Sequence, residues 1–305
     1  MRRIDFDPDA QSGTWTSTQR DWWLGLLARA KAAVADLGSS TTAPEAFAED
    51  VWRDIRDWLL EYVFFDKCAM CEARVGHAGR GEGDHYRPKK RVKIPVAGGW
   101  PPGKVKWKVL AAAVAGQSAS YFWMAYDWTN LIPLCSICNN TKSDKFPVAG
   151  QHVFDPTLTT RQLNERERPL LINPYYEDPV EFLRYGITGG IVAIDGNSRG
   201  AATIEVYGLD RAALAIERAR KFERMGTQLL LKLNSILCGD NSVRDAINDF
   251  LAHDEEYSSA CDQVVDEIFD NAVDSLRSAP RVKTKALPLP LGNRARAEKA
   301  RDGGP

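Results

Sequence analysis

The fold is decided by two short runs, Cys68-Ala69-Met70-Cys71 and Cys135-Ser136-Ile137-Cys138, with 63 residues between Cys71 and Cys135. Each run can present two thiolates from one tight turn, so the pair supplies the four ligands of a tetrahedral zinc ion. A zinc ion with four protein ligands has no open position, so we expect a structural ion. It would bring Asp84, His85 and Asn139 together. The alternative is four buried thiols whose matched spacing is a coincidence.

Composition indicates a globular protein rather than a membrane or fibrous one. The 305 residues are 44% hydrophobic, include nine tryptophans and carry a net charge of −1. Such a chain can bury a sizeable core, and its small net charge argues against a general polyanion binder. No run of 18 apolar residues occurs, and Met1-Arg2-Arg3 opens no signal peptide, so we expect no membrane partner and a cytoplasmic location. Four of the six cysteines lie in the paired runs, which favours metal binding over disulfides.

Basic residues are concentrated between Arg80 and Lys108, where nine of them stand against only Glu82 and Asp84. A basic stripe beside a candidate metal site is suited to binding the phosphate backbone of a nucleic acid. The alternative is a solvated, lysine-rich loop. We expect five side chains to contact phosphates: Arg87, Lys89, Lys90, Arg91 and Lys142.

Asp84 and His85 form the candidate catalytic centre. Histidine titrates near neutrality, so a neutral His85 can take a proton from water at cellular pH. If the Asp84 carboxylate turns towards the Asn139 amide, their oxygens could hold a hard divalent ion, Mg²⁺ or Mn²⁺. Such an ion neutralises the charge that builds on a phosphodiester during hydrolysis. We expect Asn130 to bridge backbone groups and fix the loop that carries His85.

The predicted fold class is α+β, with a small zinc-stapled ββα core embedded in a mostly helical shell. Apolar spacing predicts helices at 19–37, 45–65, 136–145, 210–237, 242–252 and 255–276. We expect a strand at Asp84-His85, an aromatic β-like segment over 121–134, and a hairpin formed by 182–185 and 190–194. The predicted regions are 1–66 (helical), 67–150 (nuclease core with an insertion at 92–122), 151–277 (hairpin and helices) and 278–305 (flexible tail).

The motif resembles that of the HNH, or ββα-metal, endonucleases. It comprises Cys68-x-x-Cys71, Asp84-His85-x-x-Pro88, Asn130-Leu131 and Cys135-x-x-Cys138-Asn139-x-x-Lys142. The resemblance implies hydrolysis of DNA with His85 as general base, Asp84 and Asn139 as ligands of Mg²⁺ or Mn²⁺, and Asn130 in a structural role. The stretch from Cys138 to Asp144 also resembles the HNH domain of RNA-guided CRISPR nucleases, where asparagine replaces the final histidine.

A narrower resemblance extends over roughly residues 50 to 220. Four stretches are similar to the HNH proteins of retron and Septu-type anti-phage systems: 83–89, 125–131, 171–174 and 206–211. Those proteins are typically encoded beside an ABC- or SMC-like ATPase. The resemblance therefore implies the effector nuclease of a prokaryotic defence complex, with phage or plasmid DNA and such an ATPase as partners. Two alternatives stay open: a zinc-ribbon-like adaptor that binds nucleic acid or an ATPase without cutting, and a stand-alone restriction-type HNH nuclease.

Overall fold

Two amphipathic helices, α1 (Ser17–Leu37) and α2 (Glu49–Tyr62), form the predicted N-terminal helical region. Their buried faces meet at Trp23 and Trp58, whose rings stack with centroids 4.3 Å apart. The computed structural model describes residues 1–4, 6, 15–37, 40–75, 81–96, 100, 105–232, 235–236 and 243–269. Several sequence-based predictions fall outside these residues: those for Arg80, for the ends of the 210–237 and 255–276 helices, and for the 278–305 tail.

A two-stranded antiparallel sheet followed by a short helix carries the motif residues. Strand β1 (Glu82–His85) pairs with a strand from the second half of the motif, which we label β4 (Leu131–Leu134), so that His85 lies opposite Leu131. Helix α3 (Ser136–Lys142) follows directly. Helix α2 packs across β1, and glycine at position 83 permits the close approach, because a Cβ there would lie 3.3 Å from the Trp52 ring. The arrangement is two strands and one helix, in the order ββα.

The segment between β1 and β4 differs from its prediction. The insertion contains an antiparallel hairpin, β2 (Lys93–Pro95) with β3 (Trp107–Val109). The aromatic segment over 121–134, predicted as β-like, forms two 3-10 turns, Phe122–Met124 and Trp128–Asn130, before β4 begins. The second turn forms because the Asp127 carboxylate accepts hydrogen bonds from the backbone N–H and hydroxyl of Thr129. Local capping therefore overrides the β propensity of the aromatic side chains.

The C-terminal half contains a hairpin and a series of α-helices. The hairpin joins β5 (Leu183–Tyr185) to β6 (Ile191–Ala193), close to the predicted positions. Gly189 has φ +78° and packs so closely against the helix that contains Ala215 that a Cβ would meet the Ala215 carbonyl oxygen at 1.9 Å. The helices are α4 (Thr160–Glu167), α5 (Ser198–Tyr207), α6 (Ala212–Leu231), α7 (Val243–Ala246), α8 (Asn248–Leu251) and α9 (Ser258–Val264).

The fold class is α+β, as predicted, with helices surrounding small two-stranded sheets. One continuous cluster of buried side chains runs from Met1 to Val265, so the described parts of the first three predicted regions share a core. The boundaries at 66/67 and 150/151 stay predictions. None of the described helices has both the length and the apolar character required to cross a bilayer.

A buried ion pair joins the loop after β1 to α4. The Arg87 and Glu167 side chains are 1% and 0% exposed, and Nη2 of Arg87 lies 3.0 Å from Oε2 of Glu167. The same Nη2 donates to Asn164 Oδ1 at 2.7 Å. The other carboxylate oxygen accepts from the Tyr121 hydroxyl at 2.5 Å and from the Val153 N–H at 2.9 Å. Contrary to our prediction, the Arg87 guanidinium is thus enclosed in the core and does not reach a phosphate.

We expect Glu167→Gln to lower the free energy of unfolding by about 3 kcal/mol or more, because it leaves the Arg87 charge buried without a counter-charge. The matched control is Glu165→Gln on the same helix, which removes the exposed partner of Arg161 and should cost less than about 1 kcal/mol. Urea unfolding followed by tryptophan fluorescence measures both. Equal losses for the two variants would contradict a special role of the buried pair.

Candidate active site and metal centre

The four predicted zinc ligands come together. Cys68 and Cys71 lie in the turn after α2, and Cys135 and Cys138 lie at the start of α3. Their four Sγ atoms all lie within 4.8 Å of one another, and Sγ of Cys71 is 3.8 Å from Sγ of Cys135. A tetrahedron of ~2.3 Å zinc–sulfur bonds has edges of about 3.8 Å. The cluster could therefore hold a structural metal ion such as zinc.

The four thiols hydrogen-bond to one another, and an arginine lies beside them. A hydrogen bond from Cys138 lowers the pKa of Cys135 far below the ordinary value of a thiol, whereas burial raises the pKa of Cys68. Nη1 of Arg211 lies 3.6 Å from Sγ of Cys138, which places a guanidinium beside the sulfur charge. Sequence reasoning gave Arg211 no role, since it follows Cys138 by 73 residues. The Ala69 N–H donates to the Pro133 carbonyl oxygen at 2.9 Å and so ties the first cysteine turn to β4.

His85, at the end of β1, is held as a neutral imidazole. Its Nε2 lies 3.0 Å from the carbonyl oxygen of Ala125. A carbonyl can only accept a hydrogen bond, so Nε2 carries the hydrogen and Nδ1 keeps a free lone pair. Burial, and to a smaller extent the charge of the nearby Lys89 ammonium, lower the pKa of His85 to about 3. Trp52 of α2 stands edge-on to the imidazole, with ring centroids 6.1 Å apart.

The buried Asn130 side chain bridges backbone groups on both sides of the site. Its Oδ1 accepts from the Arg87 N–H at 2.8 Å, and its Nδ2 donates to the Arg87 carbonyl at 3.1 Å and to the Met124 carbonyl at 3.2 Å. Met124 directly precedes Ala125, whose carbonyl holds the His85 ring. One amide therefore fixes both the loop after His85 and the loop that orients its imidazole.

Asp84 faces α3, where it meets Lys142. Oδ2 of Asp84 lies 2.7 Å from Nζ of Lys142, and their side chains are 9% and 0% exposed. The ammonium also donates to the His85 carbonyl oxygen at 2.8 Å. Burial raises the pKa of Asp84 to about 6, against the opposing effect of Lys142. Contrary to our prediction, Lys142 is buried beneath the site. Its ammonium contacts Asp84 and does not lie at the surface, where a phosphate would bind.

Asn139 pairs with Glu82 rather than with Asp84. Its Nδ2 donates to Oε2 of Glu82. Glu82 and Asp84 alternate along β1 and so share the face that α3 covers. Carboxylate and amide oxygens are the donors that a hard divalent ion takes, so Asp84 and Asn139 fit such an ion chemically, although Lys142 engages Oδ2 of Asp84. Within the described chain, the four cysteines are the one group of three or more His, Cys, Asp or Glu side chains close enough to share an ion.

A cleft of about 130 Å³ opens at His85. It is lined by Asp84, His85, Pro88, Lys89, Lys90, Ser143 and Asp144. Nζ of Lys89 lies 4.3 Å from the Trp52 ring centroid, and burial followed by the charge of Lys90 lowers the pKa of Lys89 to about 8. Lys90 is exposed, and Arg91 is exposed and paired with Asp144 at 2.5 Å. Three of the five predicted phosphate contacts thus lie at or beside the cleft.

Comparison with known proteins relates the chain to the Septu proteins. It is 32% identical to the Septu protein PtuB of Bacillus mycoides (strain KBAB4) over 164 residues, which are 53% of this chain and 49% of that protein. It is 27% identical to the Septu protein PtuA of the same strain over 165 residues, which are 53% of this chain and 20% of that protein. The chain therefore spans about half the length of one of these relatives and a fifth of the other. No model of a protein family and no solved structure matches it.

Proposed function

We propose that this chain is a metal-dependent HNH endonuclease that hydrolyses DNA phosphodiester bonds. The observation that carries the proposal is the neutral His85, whose Nε2–H is fixed by Ala125 while the residue lines a cleft with Lys89 and Lys90. A histidine in this tautomer can accept a proton from water, and the ammonium groups beside it can bind a phosphate. The ββα order of β1, β4 and α3 and the four-cysteine cluster agree with the motif resemblance.

Each group of residues in the site has a separate role in the proposed reaction. His85 accepts the proton of the attacking water at Nδ1, and Asn130 keeps the imidazole in place. Asp84 and Asn139 would hold a divalent ion, Mg²⁺ or Mn²⁺, which neutralises charge on the phosphate and the leaving oxygen. Lys89, Lys90 and Arg91 bind the flanking backbone. The four cysteines hold a structural zinc ion that keeps α3 against the turn after α2.

We further propose that the nuclease is the effector of an anti-phage defence complex with an ABC- or SMC-like ATPase subunit. The similarities to Septu PtuB and PtuA support this role. A stand-alone restriction-type nuclease and a non-cutting zinc-ribbon-like adaptor are the competing functions. The adaptor is disfavoured because it needs neither a buried neutral histidine nor the carboxylate and amide beside it.

Removal of the cluster metal should unfold the core. We expect one zinc ion per purified chain by mass spectrometry of metals, and none after Cys135→Ser. Since structural zinc sites contribute on the order of 10 kcal/mol to folding, chelation should abolish the cooperative thermal transition. Cys261→Ala is the matched control, because Cys261 is a buried free thiol outside the cluster. A zinc-free chain that keeps its native transition would refute the structural role.

The nuclease proposal is tested with supercoiled plasmid and Mg²⁺ or Mn²⁺. We expect wild type to nick or cut, and His85→Ala to lose at least about a hundredfold in rate because the general base is gone. His152→Ala is the matched control, since His152 also bonds a backbone carbonyl through Nε2 but lies outside the cleft. If wild type does not cut, the assay is repeated with an ABC- or SMC-like ATPase of the proposed complex. If no cleavage occurs with the ATPase either, the adaptor is favoured. Cleavage by His85→Ala at the wild-type rate rejects His85 as the general base.

DNA binding should weaken steeply with salt, and the cleft lysines should carry part of that dependence. We expect Lys89→Ala with Lys90→Ala to flatten the slope of log K against log salt by about one to two units. The control replaces Arg161 and Arg166, two exposed basic residues on α4, and should leave the slope unchanged. Fluorescence anisotropy with a labelled duplex measures both slopes. An unaltered slope in the lysine variant would remove these residues from the DNA footprint.

A further inference from the structure

The ion pair between Lys142 and Asp84 lies at the place where the proposed function requires a divalent ion. Nζ of Lys142 is 2.7 Å from Oδ2 of Asp84, and the lysine side chain is fully buried. The ammonium also donates to the backbone carbonyls of His85 at 2.8 Å and of Ser143 at 3.5 Å. Its two shortest contacts therefore end on the two residues at the centre of the site. A lysine that serves only to bind DNA would keep its ammonium in solvent.

We propose that Lys142 is a built-in counter-ion that competes with a divalent cation for the Asp84 carboxylate. The proposal rests on the proposed function and deepens it, since it assigns Lys142 a role towards the same ion. A hard divalent ion seeks a carboxylate oxygen, and Oδ2 of Asp84 already faces an ammonium. Two cations within a few ångströms of one carboxylate repel each other, and burial strengthens that repulsion. Ion binding must therefore displace the ammonium or act against it.

The position of Lys142 makes this competition a property of the fold. Lys142 closes α3 one helical turn after Asn139, so the helix that presents one oxygen ligand also presents the competing cation. Asn139 is in turn held by Glu82, on the same face of β1 as Asp84. One of the two proposed oxygen ligands, the Asp84 carboxylate, thus has Lys142 as its protein partner, and the side-chain nitrogen of Asn139 is bonded to Glu82. Lys142 is a positioning residue that keeps Asp84 neutralised and raises the ion concentration at which the site fills.

Competition by Lys142 predicts that its replacement increases the affinity of the site for a divalent ion. Loss of a residue that merely ties α3 to β1, or that binds phosphate, would leave ion binding unchanged or weaker. Loss of a competing cation should make it tighter. We expect full-length Lys142→Met to bind Mn²⁺ at least tenfold more tightly than wild type, measured by isothermal titration calorimetry without DNA. Lys142→Arg keeps the positive charge and should bind about as weakly as wild type.

Two controls locate the effect. Lys145→Met removes a lysine just beyond α3 whose ammonium donates to the Thr141 carbonyl, and it should match wild type. Asp84→Asn should abolish the tight binding in the Lys142→Met background. Binding by Lys142→Met that is equal to or weaker than that of wild type overturns the competition while leaving the nuclease proposal intact. Binding that is indifferent to Asp84→Asn shows that the ion lies elsewhere, and then the divalent site of the proposed function fails as well.

A second measurement needs only wild type and covers the case in which Lys142→Met does not fold. The ¹⁵N resonance of the Lys142 ammonium, assigned by its loss in Lys142→Arg, should shift during titration with Mg²⁺ as its contact with Asp84 changes. The Lys145 resonance serves as the internal reference. An unchanged Lys142 resonance at saturating Mg²⁺ overturns the proposal.

Discussion

The rest of the site depends on the closure of four thiols into one cluster. Cys68 and Cys71 follow α2, whereas Cys135 and Cys138 begin α3, and their Sγ atoms all lie within 4.8 Å of one another. This closure sets where β4 runs, because the Ala69 N–H also bonds the Pro133 carbonyl. Strand β1 then pairs with β4 and delivers Asp84 and His85 to the side of α3.

Buried charge is the second organising feature. Arg87 and Lys142, both assigned to phosphate contact from sequence, instead neutralise Glu167 and Asp84 inside the protein. A buried charge is tolerated when it is paired and hydrogen-bonded, and loss of one partner is far more costly than loss of an exposed pair. The five predicted phosphate contacts thus divide into two sets: internal counter-ions, which are Arg87 and Lys142, and basic residues at or beside the cleft, which are Lys89, Lys90 and Arg91. A count of charges along the sequence does not distinguish these two sets.

Helix α2 and the segment before it, which carry no part of the motif, contribute to the candidate active site. Trp52 of α2 stands against the His85 ring and beneath the Lys89 ammonium, and Phe47 lies 5.1 Å from the same ammonium. The Trp52 ring covers one side of the imidazole, and burial is the main cause of its low pKa. Helix α2 therefore shapes the electrostatics of the site as well as the core.

The sequence by itself determined the features that depend on local spacing: the four-cysteine set, the short helix after it, the β5–β6 hairpin around its glycine turn, and the α+β class. It also predicts one site formed by Asp84, His85, Asn130 and Asn139, which stays a prediction. Tertiary structure alone decided which polar groups face one another. Glu82 meets Asn139 across 57 residues and Arg87 meets Glu167 across 80, and neither propensity nor periodicity reports on partners at such separations. Capping at Asp127 replaced a predicted strand by a turn, because a local hydrogen bond outweighed side-chain β preference.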